Sequence, residues 1–97
     1  MRTLLLLLAS CSFSAPSVPG AKQACADWFD AVRTKHIDCG MSVSDAEKDY
    51  EYWIATCDAV ISYNRDMVYG ECIPKELMSS CKDAASVTCA AFIQVNQ

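Results

Sequence analysis

The sequence has few of the features that mark an enzyme or a nucleic-acid-binding protein. It holds a single histidine, His36, and it has no Gly-rich phosphate loop or serine-nucleophile elbow. Eight basic residues stand against twelve acidic ones, giving a net charge of −4, so a basic surface for nucleic acid is missing. No apolar run reaches the length of about 20 residues that crosses a bilayer. We therefore expect neither an enzyme nor a nucleic-acid partner.

Cysteine is abundant, but the spacing of metal and redox motifs is absent. Among the cysteines that follow Cys11, the nearest two are Cys81 and Cys89, which are separated by seven residues. Structural zinc sites usually place two ligands roughly two to four residues apart, and thioredoxin-like exchange uses C-x-x-C. The sequence thus predicts no metal site and no cofactor.

The cysteines after Cys11 form an even set, which in a short exported chain predicts a disulfide framework. Its six members are Cys25, Cys39, Cys57, Cys72, Cys81 and Cys89. A domain this small buries too little apolar surface to fold comfortably without such bridges. We expect three disulfides, with Cys11 in none of them.

The first 20 residues have the layout of an export signal followed by a flexible tether. Arg2 supplies one positive charge, an apolar run begins at Leu4, and small residues and prolines extend to Gly20. Residues Leu8–Cys11 resemble a lipobox, in which the cysteine thiol is acylated and anchors the protein to a membrane. Alternatively, an ordinary signal peptidase cuts later and discards Cys11. Both readings remain open on the sequence.

Residues 21–97 are predicted to form a small all-α domain held by its disulfides. Apolar residues recur at helical spacing over Ala21–Asp38, and Gly40 stops that helix. A second helix is expected from Asp45 to about Tyr63, with Ser44 and Glu47 forming a capping box at its start. No segment shows the alternation of a strand.

Short helical segments are predicted to follow the two longer helices. A helical turn over residues 65–69 is expected to end at Gly70, and a short helix to span Pro74 to about Ser80. Another turn or two is expected over residues 82–87, whereas residues 90–97 have no clear period.

Antiparallel packing of the two long helices favours one disulfide over the others. A turn over residues 40–44 would bring Cys25 roughly opposite Cys57, which is the first pairing we predict. The three later cysteines are expected to fasten the returning chain onto the helix pair. Six cysteines allow 15 connectivities, so the sequence does not choose the remaining two bridges.

Aromatic residues are numerous for so small a domain. The simplest expectation is that Trp28, Phe29 and Trp53 fill the core between the helices. The alternative is that the aromatics exceed what the core can enclose and form a cleft or patch for a partner protein or a small apolar ligand. The candidate binding surface then consists of Trp28, Tyr50, Trp53 and Tyr69.

The titratable side chains with catalytic potential have simpler interpretations. His36 is expected at the surface near the helix C-terminus, where it favours the negative end of the helix dipole. Glu47 and Glu51 are four residues apart on a helix face that we expect to be exposed, where carboxylates are solvated. No catalytic residue is predicted.

Several short motifs resemble those of small cysteine-rich lipoproteins of Gram-negative soil bacteria. These proteins tend to show a helix ending in Cys-Gly, an Arg-Asp pair before a tyrosine, and a Cys-Ile-Pro step. The matching residues here are Cys39-Gly40, Arg65-Asp66 with Tyr69, and Cys72-Ile73-Pro74. The resemblance implies an outer-membrane or periplasm-facing lipoprotein, and it carries no catalytic residue with it.

The predicted function is that of an exported, non-enzymatic interaction or binding module. If Cys11 is acylated, the module is held to a membrane surface by its lipid. The alternative is a freely secreted, extracellular effector, inhibitor or small-lipid carrier.

Overall fold

The computed structural model describes residues 19–94. Its longest element is a helix against which most other elements pack. Helix α1 spans Ala21–Asp38, as the sequence predicted. Its buried residues share one face, because Trp28 stands four and three positions after the first two and three before the last: Ala24, Cys25, Trp28 and Ala31.

Helix α1 ends in a glycine-dependent turn. Gly40 has a φ of 107°, a left-handed conformation that side chains with a Cβ rarely adopt. The Gly40 amide donates to the carbonyl of Ile37 (3.0 Å), and the Met41 amide donates to the carbonyl of His36 (2.9 Å). These bonds satisfy carbonyls that the helix end would otherwise leave without partners.

Helix α2 spans Val43–Ile54, and its cap differs from the predicted one. The N-cap is Ser42, whose hydroxyl oxygen accepts a hydrogen bond from the Asp45 amide at 3.1 Å. The predicted capping box of Ser44 and Glu47 is wrong. The Glu47 carboxylate instead accepts from the Arg33 guanidinium of α1 at 3.1 and 3.2 Å, which ties the two helices together.

The second helix is shorter than predicted: it ends at Ile54, and the chain is extended from Val60 onward. A 3₁₀ turn over Ala55–Ala59 leads into strand β1, Val60–Tyr63. β1 pairs antiparallel with strand β2, Phe92–Gln94, near the end of the described chain. The β-branched Val60 and Ile61 favour the extended conformation. The domain is thus mostly helical but not all-α, and the prediction that no strand forms is wrong.

After β1 the chain forms one helical stretch, residues 65–78, with a wider turn in its middle. Helix α3 (Arg65–Met67) continues into a π-helical turn over Val68–Cys72 and then into helix α4 (Ile73–Met78). Gly70 lies inside the π turn, so the prediction that it ends the segment is wrong. The helix predicted from Pro74 is present, with Pro74 in its first turn, where a missing amide hydrogen costs little. A 3₁₀ turn follows at Ala84–Ser86, within the range predicted for it.

Two small clusters of buried side chains form the core around α1. One contains Ala24, Trp28, Val68, Cys72 and Ala91, and the other contains Cys25, Cys57 and Val60. Most members are small, which suits a domain that relies on covalent bridges rather than on a large apolar interior.

Three disulfides join the described cysteines: Cys25–Cys57, Cys39–Cys81 and Cys72–Cys89. The predicted pairing of Cys25 with Cys57 is confirmed. Cys81 fastens the returning chain to the end of α1, as expected for the later cysteines. Cys72 and Cys89 instead pair with each other and close a loop within the returning chain. Cys11, the predicted lipidation site, and the export signal lie outside the described residues except for Pro19 and Gly20.

Candidate functional site

An open groove of about 440 Å³ lies between α1 and the chain that follows α4. Three α1 residues at successive i, i+4 positions, Trp28, Val32 and His36, form one of its walls. Trp53 of α2 extends this wall, and its ring stacks on that of Phe29 at a centroid distance of 5.9 Å. The wall is therefore apolar and aromatic for most of its length.

The opposite wall is a short segment held at both ends by disulfides. We call residues 81–89 the strap. Cys81 joins it to Cys39 at the end of α1, and Cys89 joins it to Cys72 in the π turn. The strap residues that line the groove carry no charge: Ala84, Ala85, Val87, Thr88 and Cys89. The two bridges thus hold one strap end at the C-terminus of α1 and the other at the π turn, and they leave the residues between them without a covalent link to the rest of the domain.

One carboxyl group, that of Glu76 in α4, lies at the groove. Glu76 is 0% exposed, and within residues 19–94 neither of its carboxylate oxygens has a hydrogen-bond partner. Burial raises the pKa of this carboxyl from its ordinary value of 4.5, although the nearby His36 and Lys35 oppose part of that rise. Buried polar groups nearly always have partners, so this one is unusual.

The two basic residues near Glu76 have different positions. His36 lines the groove beside Trp53 and Val32. The Lys35 ammonium donates instead to the backbone carbonyl of Leu77 at 3.1 Å, next to Glu76 in the chain. The groove thus combines an apolar wall with one buried acceptor group and one imidazole, which is the usual composition of a small-molecule site.

The predicted binding surface is only partly brought together. Trp28 is 6% exposed and belongs mainly to the core, whereas Trp53 is 47% exposed, and both line the groove. The expectation that Trp53 is a core residue is therefore wrong. Tyr50 lies beside this wall, with the Arg33 guanidinium 3.9 Å from its ring centroid.

Tyr69 is not part of the groove. Its hydroxyl donates to the Asp27 carboxylate at 2.5 Å, linking the π turn to α1. Burial and this bond raise the pKa of Tyr69 well above its ordinary value. The side chain has a structural partner, so we remove it from the candidate surface.

Sequence reasoning missed Glu76 and the strap. Glu76 follows Lys75 in a short helix, and nothing in the local pattern marks it as buried. The other carboxylates considered, Glu47 and Glu51, are placed elsewhere: Glu47 pairs with Arg33, and Glu51 is exposed. His36 was expected at the surface, and it is half-buried at the groove instead.

No known protein assigns another kind of site to this chain. The chain matches no known protein family, no curated protein and no solved structure. Within the described residues, no group of three or more histidine, cysteine or acidic side chains is placed to hold a metal ion. Between residues 19 and 94, no helix is both long and apolar enough to cross a membrane.

Proposed function

We propose that the protein is an exported, non-enzymatic binding module whose groove takes a small apolar ligand. The observation that carries this proposal is the groove itself, with Trp28, Phe29 and Trp53 on one wall and only uncharged residues of the strap on the other. Apolar concave surfaces with a few convergent polar groups are the common form of ligand sites. The half-exposed Trp53 gains buried apolar area when such a ligand enters.

Export is supported by the three disulfides. Such bridges persist in oxidising compartments and are rare where thiols are kept reduced. The described cysteines pair among themselves, which leaves the role of Cys11 to the export and anchoring step. We propose a membrane-anchored lipoprotein acylated at Cys11, facing the periplasm or the outer membrane, with a freely secreted carrier, effector or inhibitor as the alternative.

Binding in the groove is tested with a neutral aromatic probe. We expect indole to shift the NMR signals of the Trp53 side chain and of the strap amides. Ala85→Trp fills the groove from the strap and should weaken indole binding by at least about tenfold, which corresponds to about 1.4 kcal/mol. Ala55→Trp is the matched control, because Ala55 is exposed and does not line the groove. Unchanged indole binding in Ala85→Trp would exclude the groove as the site.

The anchor is tested by intact mass of the protein made in a host that exports it. A chain beginning at Cys11 and carrying acyl groups is the expected result. On reduction, its mass should rise by about six daltons for three disulfides. A chain that begins beyond Cys11 without acyl groups would replace the lipoprotein by the secreted alternative.

A further inference from the structure

The buried Glu76 carboxyl narrows the class of ligand that the groove accepts. We propose that the groove takes a small apolar molecule bearing an amidinium or guanidinium group, which pairs with the two oxygens of Glu76. This inference rests on the proposed function and adds the chemistry of the ligand's polar end.

The first support is that both carboxylate oxygens lack a partner within residues 19–94. A buried carboxylate without donors is costly, and it gains most from a group that supplies two hydrogen bonds at once. Amidinium and guanidinium groups present two parallel N–H donors, which match the two oxygens of a carboxylate. A primary ammonium is a point charge and lacks this fork.

The second support is the distribution of charge around the groove. α2 contributes Trp53 to the wall, and the strap contributes no charged side chain. The charged or titratable groups acting on Glu76 are His36 and Lys35, both on α1. The Lys35 ammonium donates its hydrogen bond to the carbonyl of Leu77 rather than to the Glu76 carboxylate. The acidic chain, with its net charge of −4, also attracts cations more than anions.

The third support is the stacked pair of Phe29 and Trp53 on the groove wall. Aromatic faces attract planar cations as well as apolar bodies. The Glu76 oxygens are closed to solvent, so pairing requires the groove to open around them. We place this opening at the middle of the strap, where Ala84 and Ala85 line the groove with Glu76. The disulfides at Cys81 and Cys89 keep the two strap ends in place while this occurs.

The test compares benzamidine with benzamide, two probes of nearly the same shape that differ in charge. Binding to the disulfide-intact full chain is measured by calorimetry and by NMR at neutral pH. We expect benzamidine to bind at least about tenfold more tightly than benzamide, since a charge-assisted pair replaces a neutral contact. In Glu76→Gln, which keeps the side-chain shape, this preference should disappear while benzamide affinity changes less than about twofold.

The pH dependence gives a second readout that does not depend on the variant. Benzamidine affinity should fall as the pH is lowered and Glu76 becomes protonated, whereas benzamide affinity should stay constant. Glu71→Gln is the control and should retain this difference, because Glu71 is exposed and does not line the groove. If benzamidine affinity stays constant over this pH range, or loses its pH dependence in Glu71→Gln, the Glu76 carboxyl is not the group that pairs with the cation, and the inference is wrong.

The outcomes also separate this inference from the proposed function. Equal affinity for the two probes, or a preference that survives Glu76→Gln, overturns the pairing with Glu76. If indole still shifts the groove signals in that case, the apolar binding function stands. If none of the three probes shifts them, both proposals fail together.

Discussion

Replacing Cys25 and Cys57 by alanine is expected to lower the free energy of unfolding by about 5 kcal/mol. The bridge joins residues 32 positions apart, and a loop of that length contributes about 4 kcal/mol in the chain-entropy account. Both half-cystines are buried, at 3% and 4% exposed, so removing the sulfurs also costs roughly 1 kcal/mol of packing. A domain of this size has a total stability of similar magnitude, and we expect the variant to be largely unfolded at physiological temperature.

The matched control is Cys39→Ala with Cys81→Ala. This bridge spans 42 positions, a longer loop, but Cys81 is exposed and Cys39 is only half-buried. Its loss should therefore cost about 4 kcal/mol, less than the loss of the Cys25–Cys57 bridge. Urea denaturation without reductant measures both. If the variant lacking the longer loop is the less stable one, loop length outweighs burial and our ranking is wrong.

Replacing Glu76 by methionine is expected to raise the free energy of unfolding at neutral pH by about 1–3 kcal/mol. Methionine keeps the unbranched shape of the side chain and removes two buried oxygens that have no partner within residues 19–94. Glu51→Met is the control, because Glu51 is exposed and its replacement should change stability by less than about 0.5 kcal/mol. A loss of stability in Glu76→Met would show that the carboxyl makes a favourable interaction in the folded protein.

The effect of Glu76 on stability should depend on pH with a definite sign. Its pKa is raised by burial in the folded state, so the folded chain holds this proton more tightly than the unfolded chain. Below the ordinary value of 4.5 both states hold the proton, so ionisation of this carboxyl costs no stability there. The cost of ionisation grows as the pH rises above 4.5 and through the folded-state pKa. The gap between wild type and Glu76→Met should widen over this range, and thermal denaturation at a series of pH values measures it.

The expected stability cost of Glu76 and the proposed cationic ligand both follow from the missing hydrogen-bond partner of its carboxylate. A carboxyl that weakens the empty fold is typical of a residue retained for binding, because a cationic ligand supplies the partner that the protein does not. The same substitution that stabilises the domain should abolish the preference for benzamidine.

The sequence predicted local features where neighbouring residues decide the structure. Helix α1 has both its predicted ends, since its apolar spacing and Gly40 act within a few residues. The pairing of Cys25 with Cys57 followed from the antiparallel packing of two helices. The cap of α2 was ambiguous, because Ser42 and Ser44 each stand three residues before an acidic side chain. Only the path of the chain entering α2 selects Ser42.

Features that depend on distant parts of the chain could not be predicted. Residues 60–63 continue the helical pattern of α2, and they become a strand because residues 92–94 lie beside them. The groove also depends on segments that are distant in the sequence. Trp28 and Trp53 were identified as candidates, but the burial of Glu76 depends on the packing of α4 and the strap against α1. No local pattern reports such packing.

The arrangement of the disulfides has a consequence for proteolysis. The loop closed by Cys39–Cys81 overlaps both the loop closed by Cys25–Cys57 and the loop closed by Cys72–Cys89. Every peptide bond between residues 25 and 89 therefore lies inside at least one covalent ring. A protease that cuts once in this span nicks the chain without releasing a fragment, and both walls of the groove remain attached until a second cut or a reductant acts.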